Sequence, residues 1–201
     1  MADDYAYRAM YALHPAVTEA LLVAAAEELG FAFVGKLDPD KGDPLYEVML
    51  RPENGVQEVR FVDDGYVEVS YVVVHSRDRA EHIVLIEKLQ EAVDMYTLLD
   101  LRELMRQGGE GERILALRGY GAIFDGYWGA IPKDYEEGLL DERRSVREAV
   151  LAGMARIGWL EFIPILEDAV AREGDELLRT DMADLLDGLR EHGTRGIDQM
   201  F

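Results

Sequence analysis

The feature that most constrains this chain is a self-similarity in its second half. Displaced by 32 residues, Gly126-Tyr127-Trp128 falls on Gly158-Trp159-Leu160. Ile131-Pro132 falls on Ile163-Pro164, and Val146-Arg147 on Leu178-Arg179. Each unit reads as an A helix, a glycine turn, a B helix with proline near its start, and a polar linker. Pro132 and Pro164 suit that place because the first residues of a helix need no amide donor. One such unit cannot bury its apolar stripe alone, and about three are normally required. Further burial must therefore come from the N-terminal region or from a partner.

The segment from Leu139 to Pro164 contains Leu-Leu-Asp-Glu-Arg-Arg-Ser-Val-Arg-Glu-Ala-Val, then Met-Ala-Arg-Ile-Gly, then Phe-Ile-Pro. Here the sequence resembles the HEAT family in its short bacterial form, over residues 112–192. It departs from the family at Tyr135 and Gly138, and its last repeat ends after the A helix. The resemblance implies an all-α repeat domain over 112–201 that binds along successive B helices. It also implies that Arg147 and Arg179 join an internal polar ladder.

Residues 1–107 read differently. Tyr7, Met10 and Tyr11 share one helical face before Pro15, and Val17 to Leu29 reads as a helix closed by Gly30. From Phe31 the period changes to two. Strands are expected from Phe31, over Leu45–Leu50, over Val56–Val62 and over Tyr66–His75, with turns at Asn54-Gly55 and Asp64-Gly65. A long helix should follow from about Arg79 to Met105, and the Gly108–Gly111 run should mark the domain boundary. The expected fold is an α+β domain (helix, four-stranded antiparallel meander, long helix) followed by HEAT-like helical repeats. In its order of elements the first domain resembles chaperone-type domains, including the type III secretion chaperone-like fold.

Charge narrows the function. The chain has 41 acidic and 21 basic residues, a formal charge of −20. Residues 1–110 carry 22 acids and 10 bases, and residues 111–201 carry 19 and 11, so no basic domain lies under the total. Such a field repels phosphate backbones and anionic membranes and attracts cationic surfaces. With no cysteine, disulfides, thiol catalysis and Cys-ligated zinc are excluded. No secretory signal is visible, and the longest apolar run, Ala20–Ala26, is too short to span a bilayer, so a cytoplasmic setting is expected.

Catalytic motifs are weak. His75, Asp78 and His82 straddle a strand end and a helix start, without His-x-His or His-Glu-x-x-His spacing. The Asp38–Asp43 segment has Gly42 where a calcium loop places its third ligand and is followed by Met49 where the bidentate acid belongs, so it reads as a turn. Asp181, Asp184 and Asp187 read as a solvated acidic ridge. No metal or cofactor is expected. The aromatics Tyr120, Phe124, Tyr127, Trp128, Tyr135 and Trp159 crowd the repeat turns, where they serve either as core or as partner anchors.

The function expected is therefore a non-enzymatic interaction module binding a protein with a basic patch, as an effector chaperone, toxin immunity protein or adaptor would. The expected contact residues are Tyr127, Trp128 and Tyr135 as anchors, with Asp134, Glu136, Glu137, Glu161, Glu167 and Asp168 as the acidic field. The alternative is a HEAT-like enzyme or nucleic-acid-directed protein, such as a phycobilin lyase or DNA glycosylase. The repeat half's charge of −8 argues against a duplex groove.

Overall fold

A computed structural model describes residues 5–39, 44–124, 126 and 128–196. The chain divides into two compact units, Met1–Thr97 and Leu98–Phe201.

The first unit is one antiparallel sheet with two helices. Its elements are β1 (Tyr7–Leu13), α1 (Glu19–Glu28), β2 (Ala32–Leu37), β3 (Leu45–Arg51), β4 (Gln57–Asp64), β5 (Val69–Ser76), α2 (Arg79–Ala92) and β6 (Met95–Tyr96). The six strands lie in the order β2-β3-β4-β5-β1-β6. The meander from β2 to β5 is present as expected. The first segment is not a helix, because Tyr7–Leu13 pairs antiparallel with β5, Tyr11 facing Val72. Its alternation lets Tyr11 and Leu13 join the core under the helices, and cross-strand pairing outweighs the helical spacing of Tyr7, Met10 and Tyr11. The observed order, with a strand before α1 and another after α2, differs from the one on which the likeness to chaperone-type domains rested.

One face of the sheet is apolar. Val48 and Leu50, Val59 and Phe61, Val72 and Val74 pack with Leu22, Ala26, Leu85 and Leu89 from α1 and α2. Alternate residues on each strand point the other way. Asn54-Gly55 turns with Gly55 at φ +64°, as its sequence demands. Asp64-Gly65 does not. Glu68 takes the positive φ, +53°, while Gly65 lies where a Cβ would come within 2.9 Å of Pro44. That glycine serves close approach rather than chirality, and β5 starts at Val69 instead of Tyr66.

The expected helix over Arg79–Met105 is interrupted. Asp78 caps its start through Ala80 N and Glu81 N. Val93 is extended (φ −140°, ψ 145°), and Met95–Tyr96 pairs with Leu13 and Ala12 of β1 before α3 (Leu98–Gln107) begins. α3 packs on α4 (Glu110–Ile123) and belongs to the second unit. The Gly108–Gly109 run is thus a helix–helix turn, with Glu112 Oε2 accepting from Gly109 N at 2.7 Å. The boundary falls at Thr97–Leu98 instead.

The second unit continues with α5 (Ala130–Gly138), α6 (Arg144–Ile157), α7 (Ile163–Arg172) and α8 (Glu176–His192). Among the described residues it holds no strand, only an isolated bridge between Trp159 and Thr194. The 32-residue shift is visible in its packing. Val146, Val150, Met154 and Ile157 are buried on α6, and their equivalents Leu178, Met182, Leu186 and Leu189 are buried on α8. Gly126 and Gly158, also equivalent, both carry positive φ at the turns, +88° and +71°. Gly121 and Gly153 meet where α4 crosses α6. A Cβ on Gly121 would lie 2.9 Å from Gly153 Cα, so the pair sets how closely these helices approach.

Candidate functional site

The structure separates the expected contact residues into three groups. Tyr135 and Asp134 are buried. On α5 the inward stripe is Ile131, Asp134, Tyr135 and Gly138, which leaves Lys133, Glu136, Glu137 and Leu140 outside. Tyr135 reaches under Gly153 and donates to Leu117 O at 3.0 Å, and Gly138 lets α5 close on Val150 of α6. The two departures from the repeat pattern are therefore one packing solution, a large residue and a small one fitted between α4 and α6. Burial raises the Tyr135 phenol well above its ordinary range. Tyr135 is corrected from surface anchor to core.

Asp134 is corrected likewise. Its Oδ2 accepts from Tyr120 Oη at 3.0 Å and lies 3.2 Å from Arg102 Nε of α3. Burial, then the Asp134 charge, pushes the Tyr120 phenol far up, so it stays a donor. The sequence carried a faint sign of this, since Asp134 occupies the inward phase of a stripe. Its partner lies in a helix that read as part of the first domain.

The aromatics form a continuous line through the interior. Tyr120 meets Tyr135, Tyr135 meets Phe162, Phe162 stacks on Trp159, and Trp159 meets Phe124, at ring-centroid distances of 5.5–5.9 Å. Edge-to-face rings at these distances add to what burial alone contributes. Trp159 is fully buried and is core. Trp128 is half-buried, with the Arg102 guanidinium 5.5 Å from its ring centre. Tyr127 lies outside the described residues.

The acids remain at the surface, in unequal states. Glu167 pairs with Arg190 at 2.7 Å and Asp168 with Arg172 at 2.5 Å. Glu161 is half-buried and accepts from Gly196 N, tying the C-terminal segment to the α6–α7 turn. Glu136 and Glu137 are exposed, and no ion pair engages them among the described residues. Asp181, Asp184 and Asp187 are all exposed along α8.

The polar ladder has two rungs. The linker acids Asp141 and Glu173 are equivalent under the 32-residue shift, and each receives an arginine from its own A helix. Arg113 of α4 lies 3.1 Å from Asp141, and Arg147 of α6 forks onto Glu173 at 2.8 and 3.2 Å. Arg147 also donates to the carbonyls of Asp141 and Glu142. Arg143 chelates Asp141, and its hydrogen bonds, outweighing burial, hold that carboxyl down to about 2. Among the described residues Arg179 reaches only the Glu173 carbonyl, at 3.4 Å. These arginines are engaged with their own linkers.

Of the suspected metal cluster, Asp78 caps α2 and His82 Nδ1 lies 3.2 Å from Ser76 Oγ. Among the described residues no group of His, Asp and Glu is arranged to hold a metal ion. Asp38 pairs with Lys36, and residues 40–43 of the suspected calcium loop lie outside the described residues. No described helix is long and apolar enough to cross a membrane.

One polar site was not foreseen. Across the sheet face opposite α1 and α2, Arg8 (β1) stands beside His75 (β5) and His75 beside Glu58 (β4), whose carboxylate Arg51 of β3 also reaches. Arg60 holds the other carboxylate oxygen. Glu58 is fully buried, and burial alone would raise its pKa. His75, Arg60 and Arg51 outweigh that and draw it down to about 2. The row needs the register of three strand pairings, which residue types in sequence do not disclose.

The two units thus define an α+β chain that couples an antiparallel sheet unit with paired helices. No protein-family model, no curated protein and no solved structure matches it.

Proposed function

We propose that the helical unit is a HEAT-like protein-recognition module and that it docks a basic partner protein along the outer sides of α5 and α7. The observation that carries this reading is the pair Glu136 and Glu137, exposed on α5 with no ion pair among the described residues. Burial of Asp134 and Tyr135 narrows the expected surface. Its acidic part becomes Glu136 and Glu137, with Glu167 and Asp168 next along the stack, each already sharing its charge with an arginine. Its apolar part becomes Trp128, half-buried, and Leu140, which is 58% exposed.

Unpaired acids at the surface act mainly on encounter, because exposed charges are screened beyond about 8–10 Å at physiological salt. Residence of the partner then falls to the apolar contacts. An effector, a toxin or a complex subunit with a basic patch would each suit this surface, and the protein would act on it without catalysis. The test is affinity capture with the full chain at low and high salt, wild type beside the Glu136→Lys, Glu137→Lys double variant. A stoichiometric protein held at low salt by wild type alone supports the reading. A partner held equally by both chains would place the docking surface elsewhere.

A further inference from the structure

The sheet face away from α1 and α2 holds a cavity of about 340 Å³ within the first unit. Its polar lining includes Arg8, Arg60, His75 and Glu47, and Val62 and Val73 supply an apolar floor. A volume in this range suits a small organic ligand. From the cavity lining, its charge and one unsatisfied atom, we propose that it binds a small organic anion, a carboxylate or a phosphate monoester carrying a compact apolar body.

The charge balance favours an anion. Glu58 is fully buried, and both of its oxygens are taken by Arg51 and Arg60, so it offers nothing to a ligand. Glu47 lies 3.5 Å from Arg60, which partly offsets it. Counting Arg8, Arg51 and Arg60 against Glu47 and Glu58, the cluster carries one excess positive charge, on a chain whose total is −20. That charge sits at the rim, because Arg8 is exposed and its hydrogen bond among the described residues goes to Met10 Sδ. A thioether is a weak acceptor, so the guanidinium's forked donors remain suited to a planar or tetrahedral oxyanion.

The second observation is His75. It is only 8% exposed, it lines the cavity, and its Nδ1 has no hydrogen-bond partner among the described residues. The nearest carboxylate oxygen, Glu58 Oε1, is 3.5 Å away, a contact that helps hold Glu58 ionised but is too long to satisfy the Nδ1 as a hydrogen bond. A buried polar atom without a partner is costly, and an oxyanion placed between His75 and Arg8 would supply the acceptor. Neighbouring strands bring the two together, since Arg8 and His75 are cross-strand partners. Val62 and Val73 would then take the apolar body of the ligand.

This site is independent of the helical unit's proposed role. The test is calorimetric titration of the full chain with benzoate and with phenyl phosphate, beside benzamide as the uncharged match. One or both anions should bind, and which of them binds identifies the head group preferred. Benzamide should not bind. Arg8 is exposed, so Arg8→Gln should fold as the wild type does, checked by its melting temperature, and weaken the anion by about tenfold or more. No heat from either anion, equal binding of benzamide, or equal affinity of Arg8→Gln would each overturn the proposal.

Discussion

The sheet unit and the helical unit solve the same problem in opposite ways. Each must place carboxylates in its interior and give them partners. The sheet unit buries Asp64, which accepts from Tyr66 N, and Glu58, which it surrounds with Arg51 of β3, His75 of β5 and Arg60 of its own strand. The helical unit distributes its acids, giving Asp134 to Arg102 and Tyr120, Asp141 to Arg113 and Arg143, and Glu173 to Arg147. A sheet brings strands distant in sequence into one row, so its polar groups concentrate. A stack repeats one local arrangement, so they recur along it. The concentrated site is the proposed place for a small ligand, and the outer side of α5 is the proposed place for a protein.

The most damaging change should fall on the stack. A Cβ on Gly153 would run into Tyr135 Oη and come within 2.6 Å of Leu117 O, and backbone cannot yield there cheaply. Gly153→Val should cost about 4 kcal/mol or more through overpacking and loss of the Tyr135 bond. Hydrogen exchange should show the loss of protection beginning in α4 to α6. Loss spread evenly over both units would break the contrast between a local and a concentrated design.

Glu58→Gln comes next. Removing the charge strands two arginines around a buried amide and should cost about 3 kcal/mol. The same group makes stability depend on pH. Its pKa is lowered from 4.5 to about 2, so its contribution is complete above about pH 5 and is lost as pH falls through its folded value. Acid titration of wild type and variant should converge toward pH 2. A variant that keeps the wild-type slope would show that other carboxylates govern the acid limb.

A smaller effect is expected from Tyr135→Phe. It removes only the hydroxyl bonded to Leu117 O and leaves a buried carbonyl short of one donor, about 1–2 kcal/mol in chemical denaturation. The same change would be silent if Tyr135 stood at the surface. Glu68→Gly is the smallest. It relieves a left-handed residue at φ +53° and should stabilise by about 1 kcal/mol at most, as a rise in midpoint.

Legibility in the sequence followed the same division. The stack was readable because its apolar positions recur, so Val146, Val150, Met154 and Ile157 predict Leu178, Met182, Leu186 and Leu189. The inward phase of α5 has a sequence mark too, the i, i+4, i+7 spacing of Ile131, Tyr135 and Gly138. The meander was marked by Asn54-Gly55 and by alternation in β4 and β5. β1 was not, because Tyr-Arg-Ala-Met-Tyr-Ala-Leu satisfies both periods and only pairing with β5 decides between them. The break after Ala92 carries no glycine or proline, and Val93 and Tyr96 continue the helical spacing across it. The Arg8–His75–Glu58–Arg51 row depends on tertiary register alone.

The measurement that bears most directly on the central claim is the association rate of the captured partner with the full chain, followed across salt concentration. Wild type should associate fastest at low salt and slow steeply as salt rises. Glu136→Lys with Glu137→Lys should associate more slowly at low salt with a flattened salt dependence, while the circular dichroism spectrum is unchanged. Equal rates and equal salt slopes for the two chains would contradict the assignment of the α5 surface as the point of approach.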